Sequence, residues 1–465
     1  MQALLLINAV GLSLEQIGPH TPQLEALARR GAAAPLGAVF PAVTLSAQAS
    51  LLTGTLPREH GVVGNGWFVG EMGEPLLWRQ PNGICKGEKL YEAAARQLTG
   101  FTSAKLFWWF NLGARVDRSL TPRPYYPADG RKIPAVYGWP KPFPLELEAQ
   151  LGPFPFFDFW GPKAGLASSR WLAEAAQLTL TKHRPTLTMV YLPHLDYDHQ
   201  RFGPGSAEGR RALLELDQLV GQLVAAADQI GAETVVVSEY ALTAVRRQVH
   251  INRALRQAGL LEVRATPSGE VLDVFGSRAF ALADHQHAHV YVPRAEDLSA
   301  TRAALKDLPG IEALLDRREQ AGLAIDHPRS GDLVALAETD AWFTYYFWLD
   351  DSQAPDFAPT VDIHRKPGYD PAELFVDPAL KAPKLRVARR LLQKKLGFRY
   401  LMDVIPLHGD QVRGSHGRLP ARPEQGPVFL SSAPWSRLGG EPSQGLVPMT
   451  AVKERLLGLL SGPAR

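Results

Sequence analysis

Residues 40–68 read FPAVTLSAQASLLTGTLPREHGVVGNGWF. Thr44 follows a proline and an apolar pair, and a run of small residues predicted as a short helix begins beside it. A hydroxyl at a helix start is usually an N-cap that accepts a bond from a backbone N–H. The same geometry sets unpaired N–H groups and the positive end of the helix dipole beside the hydroxyl. That combination suits a nucleophile attacking a phosphate.

Outward from this stretch, strands and helices alternate. ALLLINAV (3–10) reads as a buried strand, and TPQLEALARRG (21–31) as a helix with a Thr-Pro start and a Gly stop. LTLTKHRPTLTMVYLP (178–193) reads as a strand, SAEGRRALLELDQLVGQLVAAADQIG (206–231) as a long amphipathic helix, and ETVVVSEY (233–240) as a strand again. The alternation argues for an α/β fold with a mostly parallel sheet sandwiched by helices. Two regions break the pattern, the aromatic- and proline-rich 67–165 and the region 260–400. They read as insertions in one domain spanning 1–465, forming a lid or cap and packing a subsidiary core. Trp108 and Trp109 in FWWFNLG are candidates to meet an apolar leaving group.

Composition narrows the function classes. The 50 Lys and Arg are balanced by 47 Asp and Glu, so a nucleic-acid polymer is not an expected partner. The single cysteine, Cys85, excludes an intrachain disulfide and a cysteine-rich metal cluster. MQALLLINAVGLS has no Lys or Arg before its apolar run and continues into Asn8 and Gly11, which reads as a first strand rather than a signal peptide. No apolar segment approaches a membrane span, so a cytoplasmic protein with no membrane partner is expected.

TPQLEALARRG, PAVTLSAQASLLTG and LPREHGVVGN, in that order, resemble the type I phosphodiesterase/nucleotide pyrophosphatase family of the alkaline phosphatase superfamily. The resemblance implies an alkaline-phosphatase-like fold, Thr44 as nucleophile and Asn65 as a contact to a phosphate oxygen. It continues at lower density. LPHLDYDHQRFGP (192–204) stands where the family has a strand-end Asp and, four residues later, a His. Asp196 matches, but the fourth position is Gln200, with His199 one residue early. GSHGRLP (414–420) matches the segment that supplies a further ligand, His416. VVVSEYALT (235–243) replaces a Ser-Asp-His-Gly stretch, so Glu239 stands for a metal-binding Asp and Tyr240 for a His. After the first strand the family has Asp-Gly. Here Val10 precedes Gly11, and Asn8, two residues back, faces the same way.

In such relatives two divalent ions lower the pKa of the nucleophile and stabilise the leaving oxygen. Replacements for the missing ligands are sought elsewhere. ADHQHAHVYV (283–292) offers Asp284, His285, His287 and His289, the alternate residues on one strand face. TVDIHRKPGYD (360–370) offers Asp362 and His364, beside Arg365 and Lys366, which could contact phosphate. Asp198 or His199 could take the place of the regular His through a tight turn. Against each stands a structural reading as a packed strand histidine or a solvated loop.

The expected metal ligands are Asp196, Glu239, His416, Asp362 and His364, holding one or two divalent ions, zinc first. Asn65, Tyr240 and Lys366 are expected at the substrate. The expected function is metal-dependent hydrolysis of a small phosphoric ester, of phosphodiesterase or nucleotide pyrophosphatase type, through a phospho-enzyme on Thr44. The alternatives are a phosphomonoester or phosphonate hydrolase with a rebuilt metal site, and a metal-poor pseudoenzyme that binds a phosphorylated metabolite or a partner protein.

Overall fold

The apolar runs around residues 5, 190 and 235 are buried along their whole length, the pattern of strands covered on both faces. The structure, a computed structural model, describes residues 1–128 and 132–462. A nine-stranded sheet is built from Leu4–Ala9 (β1), Ala32–Gly37 (β2), Ser103–Leu106 (β3), Arg118–Pro122 (β4), Val136–Trp139 (β5), Leu187–Leu192 (β6), Glu233–Val237 (β7), Val428–Ser431 (β8) and Val447–Pro448 (β9). Its order is β9-β2-β8-β7-β1-β6-β3-β4-β5. The five strands from β7 to β4 are parallel, while β5 and β8 run antiparallel to their neighbours. The expected mostly parallel, helix-covered sheet is what forms.

Register sets the site. Ala9 of β1 pairs with Leu192 of β6, and Asn8 with Val237 of β7, so three carboxyl ends finish side by side. Ligands in open α/β sheets bind at such ends. The helices that matter below are Thr44–Thr53 (α1), Leu166–His183 (α2), His194–Phe202 (α3), Ala207–Gln229 (α4) and Pro383–Lys395 (α5).

Two segments differ from expectation, and a third packs the expected subsidiary core. LTLTKH is the last turns of α2, not the start of a strand; the chain reverses at Arg184 and β6 begins at Leu187. Burial of Thr179 and Leu180 on the helix outweighs their strand-like alternation. Part of the aromatic stretch 67–165 supplies β3, β4 and β5, so it widens the central sheet instead of covering it. Trp108 is fully buried there and donates its indole N–H to the carbonyl of Val190 at 3.0 Å, a core role rather than a substrate contact. Within 260–400, Phe280–Asp284, His287–Tyr291, Leu333–Ala337 and Ile311–Leu315 form a separate antiparallel sheet. That sheet has its own core around Ala281, Val290, Leu333 and Phe343. Among the described residues, no helix is long and apolar enough to cross a membrane.

Lys105 on β3 is fully buried, its ammonium donating to the carbonyl of Phe110 at 3.0 Å. Burial pushes it down to about 7 from 10.5. Between these values the unfolded chain holds a proton that the folded chain has lost, so stability rises with pH across the window. Below about 7 both states are charged and the cost of burying the ammonium is paid in full. Lys105→Met is expected to raise stability at pH 6 and to remove a rise of up to about 1.4 kcal/mol per pH unit above 7, read from urea melts of both proteins.

Candidate active site

Thr44 does not cap its helix. It is the first residue of α1, and Val43 is the N-cap, whose apolar side chain makes no capping bond. Its hydroxyl instead lies 3.2 Å from the hydroxyl of Tyr240, which follows β7. Every residue of α1 is buried, which its alanines and serines permit, so the helix N-terminus is held beneath the sheet ends. The helix start is finished from a distance, because Leu45 donates its N–H to the Asn65 side-chain oxygen at 3.1 Å.

Asn65 is itself held by Asp284. Its backbone N–H donates to one carboxylate oxygen at 2.8 Å and its side-chain amide to the other at 3.0 Å. The preceding Gly64 eases this approach, since a Cβ there would lie a tight 3.2 Å from His287 Nε2 and 3.3 Å from Asp284 Oδ2. Asp284, expected as a metal-ligand candidate, therefore orients Asn65.

Glu239 is gripped by two amides. Asn8 and Gln48 each donate to its Oε1 at 2.6 Å, and Gln48 in turn accepts the backbone N–H of Trp109 at 2.8 Å. On α3, one helical turn sets Gln200 over Asp196, and the Gln200 amide donates to Asp196 Oδ2 at 2.7 Å. Tyr369 donates to the Gln200 oxygen at 2.6 Å. His416 directly follows the short strand Gly414–Ser415, which packs against α3, and Gly414 allows that packing because a Cβ there would stand 2.2 Å from the carbonyl oxygen of His199. Its Nδ1 lies 2.8 Å from the carbonyl of Ala42 and its ring stacks on Tyr240 at 3.5 Å.

These side chains, Thr44, Asn65, Asp196, Glu239, Tyr240 and His416, converge where the three parallel strands end. The family model for type I phosphodiesterase/nucleotide pyrophosphatase matches residues 4–370. The chain belongs to this family. An uncharacterized pyrophosphatase/phosphodiesterase of Schizosaccharomyces pombe is 28% identical over 211 residues, 44% of this chain and 36% of that protein. The match thus spans just over a third of that relative's length. Phosphonoacetate hydrolase from Sinorhizobium meliloti superposes with a TM-score of 0.61 at 16% identity, over 98% of this chain and 96% of that one. Murine ectonucleotide pyrophosphatase/phosphodiesterase 5 superposes with a TM-score of 0.59 at 15% identity, over 100% and 96%. At such identities the likeness is one of fold.

Members of the family are typically metal-dependent, so the residues present have to be tested against a cation. A carbonyl can only accept, so His416 Nδ1 carries the proton and Nε2 presents a bare lone pair. Asp196 Oδ1 faces that nitrogen at 3.9 Å, and both atoms are buried without a hydrogen-bond partner. Two acceptors facing each other in a dry site need a cation or a proton between them. Burial pushes the Asp196 carboxyl up to about 7, consistent with a charge that lacks its counterion. Asp196 and His416 therefore fit one cation.

The second family position fits poorly. Val10 offers no ligand, Tyr240 stands where an imidazole would, and the oxygens left without a partner are Glu239 Oε2 and the neutral amide Oδ1 of Asn8. Among the described residues, no three His, Cys, Asp or Glu side chains are grouped to hold an ion.

Several expected residues lie elsewhere. Lys366 does not reach substrate; its ammonium is buried between Asp370 at 2.7 Å and Glu373 at 2.8 Å. His364 sits in a turn that Asp362 immediately precedes, not on a strand, with Asp362 paired to Arg365 at 3.3 Å and His364 exposed. They do not join Asp196 and His416 as ligands. Asp198 pairs with Arg201 at 2.7 Å, and His199 points toward Gly209 of α4, so neither stands in for the missing imidazole. ADHQHAHVYV is a hairpin rather than one strand, with His285 in its turn. His289 uses both ring nitrogens in bonds to Val63 and Gly331, a structural role. His285 stacks between Tyr369 and His416, at 3.7 Å from each. Gln48 and Tyr369 escaped the sequence reading. The one available signal was a lone glutamine four residues after Thr44 in a helix of small residues.

Proposed function

We propose that the chain hydrolyses phosphoric esters, of phosphodiester or pyrophosphate type, with Thr44 as the nucleophile. The observation that carries this reading is the Thr44 hydroxyl, freed from capping, at a helix N-terminus beside Asn65, Tyr240 and Glu239. In the first step Thr44 Oγ1 forms a bond to phosphorus and the bond from phosphorus to the leaving oxygen breaks. Water then attacks phosphorus and releases Thr44. Free N–H groups of the first turn of α1 and the Asn65 amide are the donors for the non-bridging oxygens.

Glu239 is the group placed to accept the proton of Thr44. Burial pushes its carboxyl up to about 8, partly offset by Gln48, Asn8 and Thr44 itself, which favour the charged form. A base of that strength is matched to neutral pH. Tyr240 stays a neutral phenol, because burial and the carboxylates of Asp196 and Glu239 raise its pKa, and it can donate to the substrate. A divalent ion at Asp196 and His416, zinc by its oxygen and nitrogen ligands, would supply positive charge to the phosphoryl oxygens.

The relatives support the substrate class. An inactive threonine-to-alanine form of the murine ectonucleotide pyrophosphatase/phosphodiesterase 5 is bound to AMP. The phosphonoacetate hydrolase is bound to phosphonoformate. A second reading, a phosphate-binding protein without turnover, draws on Gln200, whose amide donates to Asp196 where an imidazole ligand is expected.

Turnover of bis(4-nitrophenyl) phosphate, 4-nitrophenyl phosphate and a dinucleoside pyrophosphate, with the metal content of the purified protein, separates the readings. Thr44-dependent diester cleavage supports hydrolysis. Binding of AMP with no cleavage of any of the three, with or without added zinc, leaves the second reading. Within the first, Glu239→Gln keeps the acceptor for Asn8 and Gln48 but cannot take a proton. Its kcat is expected to fall roughly 10²- to 10³-fold with KM little changed; an unaltered kcat removes Glu239 from the proton path.

A further inference from the structure

Helix α5 and the loop after it belong to none of the machinery above. Between Asp377 and Asp403 the chain carries eight Lys and Arg and no Asp or Glu. Without these eight, the 50 basic residues of the chain would be fewer than its 47 acidic ones. The excess positive charge of the protein is therefore gathered on this segment.

One side of α5 rests on the protein. Val387 packs toward Ala372, Val404 and Ile405, and Arg386 and Arg390 pair with Asp403. On the opposite side Leu385, Leu392 and Leu396 are 70, 55 and 64% exposed. At 3.6 residues per turn these three fall within about 40° of one another, forming one straight apolar strip. Lys384 and Lys395 border it on one flank and Arg389 on the other, all exposed. Phe398 and Leu401, 65 and 42% exposed, continue it beyond the helix. Among the described residues no carboxylate pairs with Lys381, Lys384, Arg389, Lys395 or Arg399. A recess of about 560 Å³, lined by Lys381, Arg386 and Arg389 among others, opens beside the strip.

We propose that this face docks on the surface of an anionic lipid bilayer, with the leucines at the acyl boundary and the flanking Lys and Arg among the headgroups. A helix with an apolar strip between basic flanks is built to lie in that interface, and clustered basic residues favour acidic lipids. Other occupants fit less well. A second copy of the face would bring like charges together. A protein groove would take the leucine face, but the unpaired Lys and Arg on both flanks would then have to meet a matching acidic rim. A nucleic acid would meet the bases but leave the leucines in water. The sequence reading expects no membrane partner; this face adds one that the protein lies on and does not cross.

Co-sedimentation of the full chain with vesicles tests this. Binding is expected to phosphatidylcholine vesicles containing about 30 mol % phosphatidylserine, weakening with salt, and not to phosphatidylcholine alone. The triple variant Leu385→Ala, Leu392→Ala, Leu396→Ala is expected to lower partitioning roughly a hundredfold. The charge reversal Lys384→Glu, Arg389→Glu, Lys395→Glu is expected to do the same. Circular dichroism and thermal melts of both should match the parent, since all six residues are exposed. Failure to bind the anionic vesicles, or binding that both variants leave unchanged, overturns the proposal. So does a leucine-dependent dimer, or binding to duplex DNA, in a protein that leaves the vesicles in the supernatant.

Discussion

Thr44→Ala is expected to lower kcat for the diester by roughly 10⁴-fold or more while the protein folds normally. Thr44 is 3% exposed, and its hydroxyl satisfies no helix N–H, so removing it does not uncap α1. The residue loses its bond to Tyr240 and leaves that phenol to the carboxylates around it. The expected signature is an unchanged unfolding temperature, retained binding of AMP and lost turnover. Thr44→Ser, which keeps a hydroxyl on the same backbone, is expected to retain measurable activity. A Thr44→Ala protein that turns over at the parent rate would mean that the hydrolysis is done elsewhere.

Lys366→Met carries the largest expected effect on stability. The lysine ammonium, Asp370 and Glu373 are all buried, and the lysine is the cation between the two carboxylates. Removing one member of a buried ion pair costs about 3–5 kcal/mol because the remaining charge has no partner. At about 2.1 cal/mol/K of unfolding entropy per residue, this lowers Tm by roughly 3–5 °C in a chain of 465 residues. Asp370 keeps bonds from Tyr346 and Ala372, and Glu373 keeps those from Trp160 and Asp362, which sets the loss toward the lower end. The combination Lys366→Met, Asp370→Asn, Glu373→Gln removes the uncompensated charges and is expected to recover most of the stability. If Lys366→Met melts with the parent, the lysine is not the counterion of this cluster.

Lys366 also shows what the sequence hides. Beside the exposed Arg365 in a proline-rich stretch it reads as a surface cation ready for phosphate. Its partners four and seven residues later are visible in the chain, yet nothing local says that all three go inside. The same limit applies to Glu239. Its replacement of an aspartate is legible, but its capture joins three distant elements: the β1–β7 register brings Asn8 to it, and the burial of α1 brings Gln48. The central fold is more readable because burial on both faces writes β1, β6 and β7 as predominantly apolar runs. Thr44, Asn65, Asp196 and His416 are legible because they sit in ordered motifs whose glycines have steric reasons, as Gly64 and Gly414 show. Asp362 and His364 look like a strand pair only by spacing; the chain turns there and leaves His364 on the surface.

The most direct test is to quench the enzyme with acid during turnover of the diester and map the peptide that contains Thr44 by mass spectrometry. A phosphoryl adduct on Thr44, formed within the first turnover and absent from Thr44→Ala, is the predicted result. Multiple turnovers by an enzyme whose Thr44 never carries the adduct, even when quenched in the burst, would contradict it.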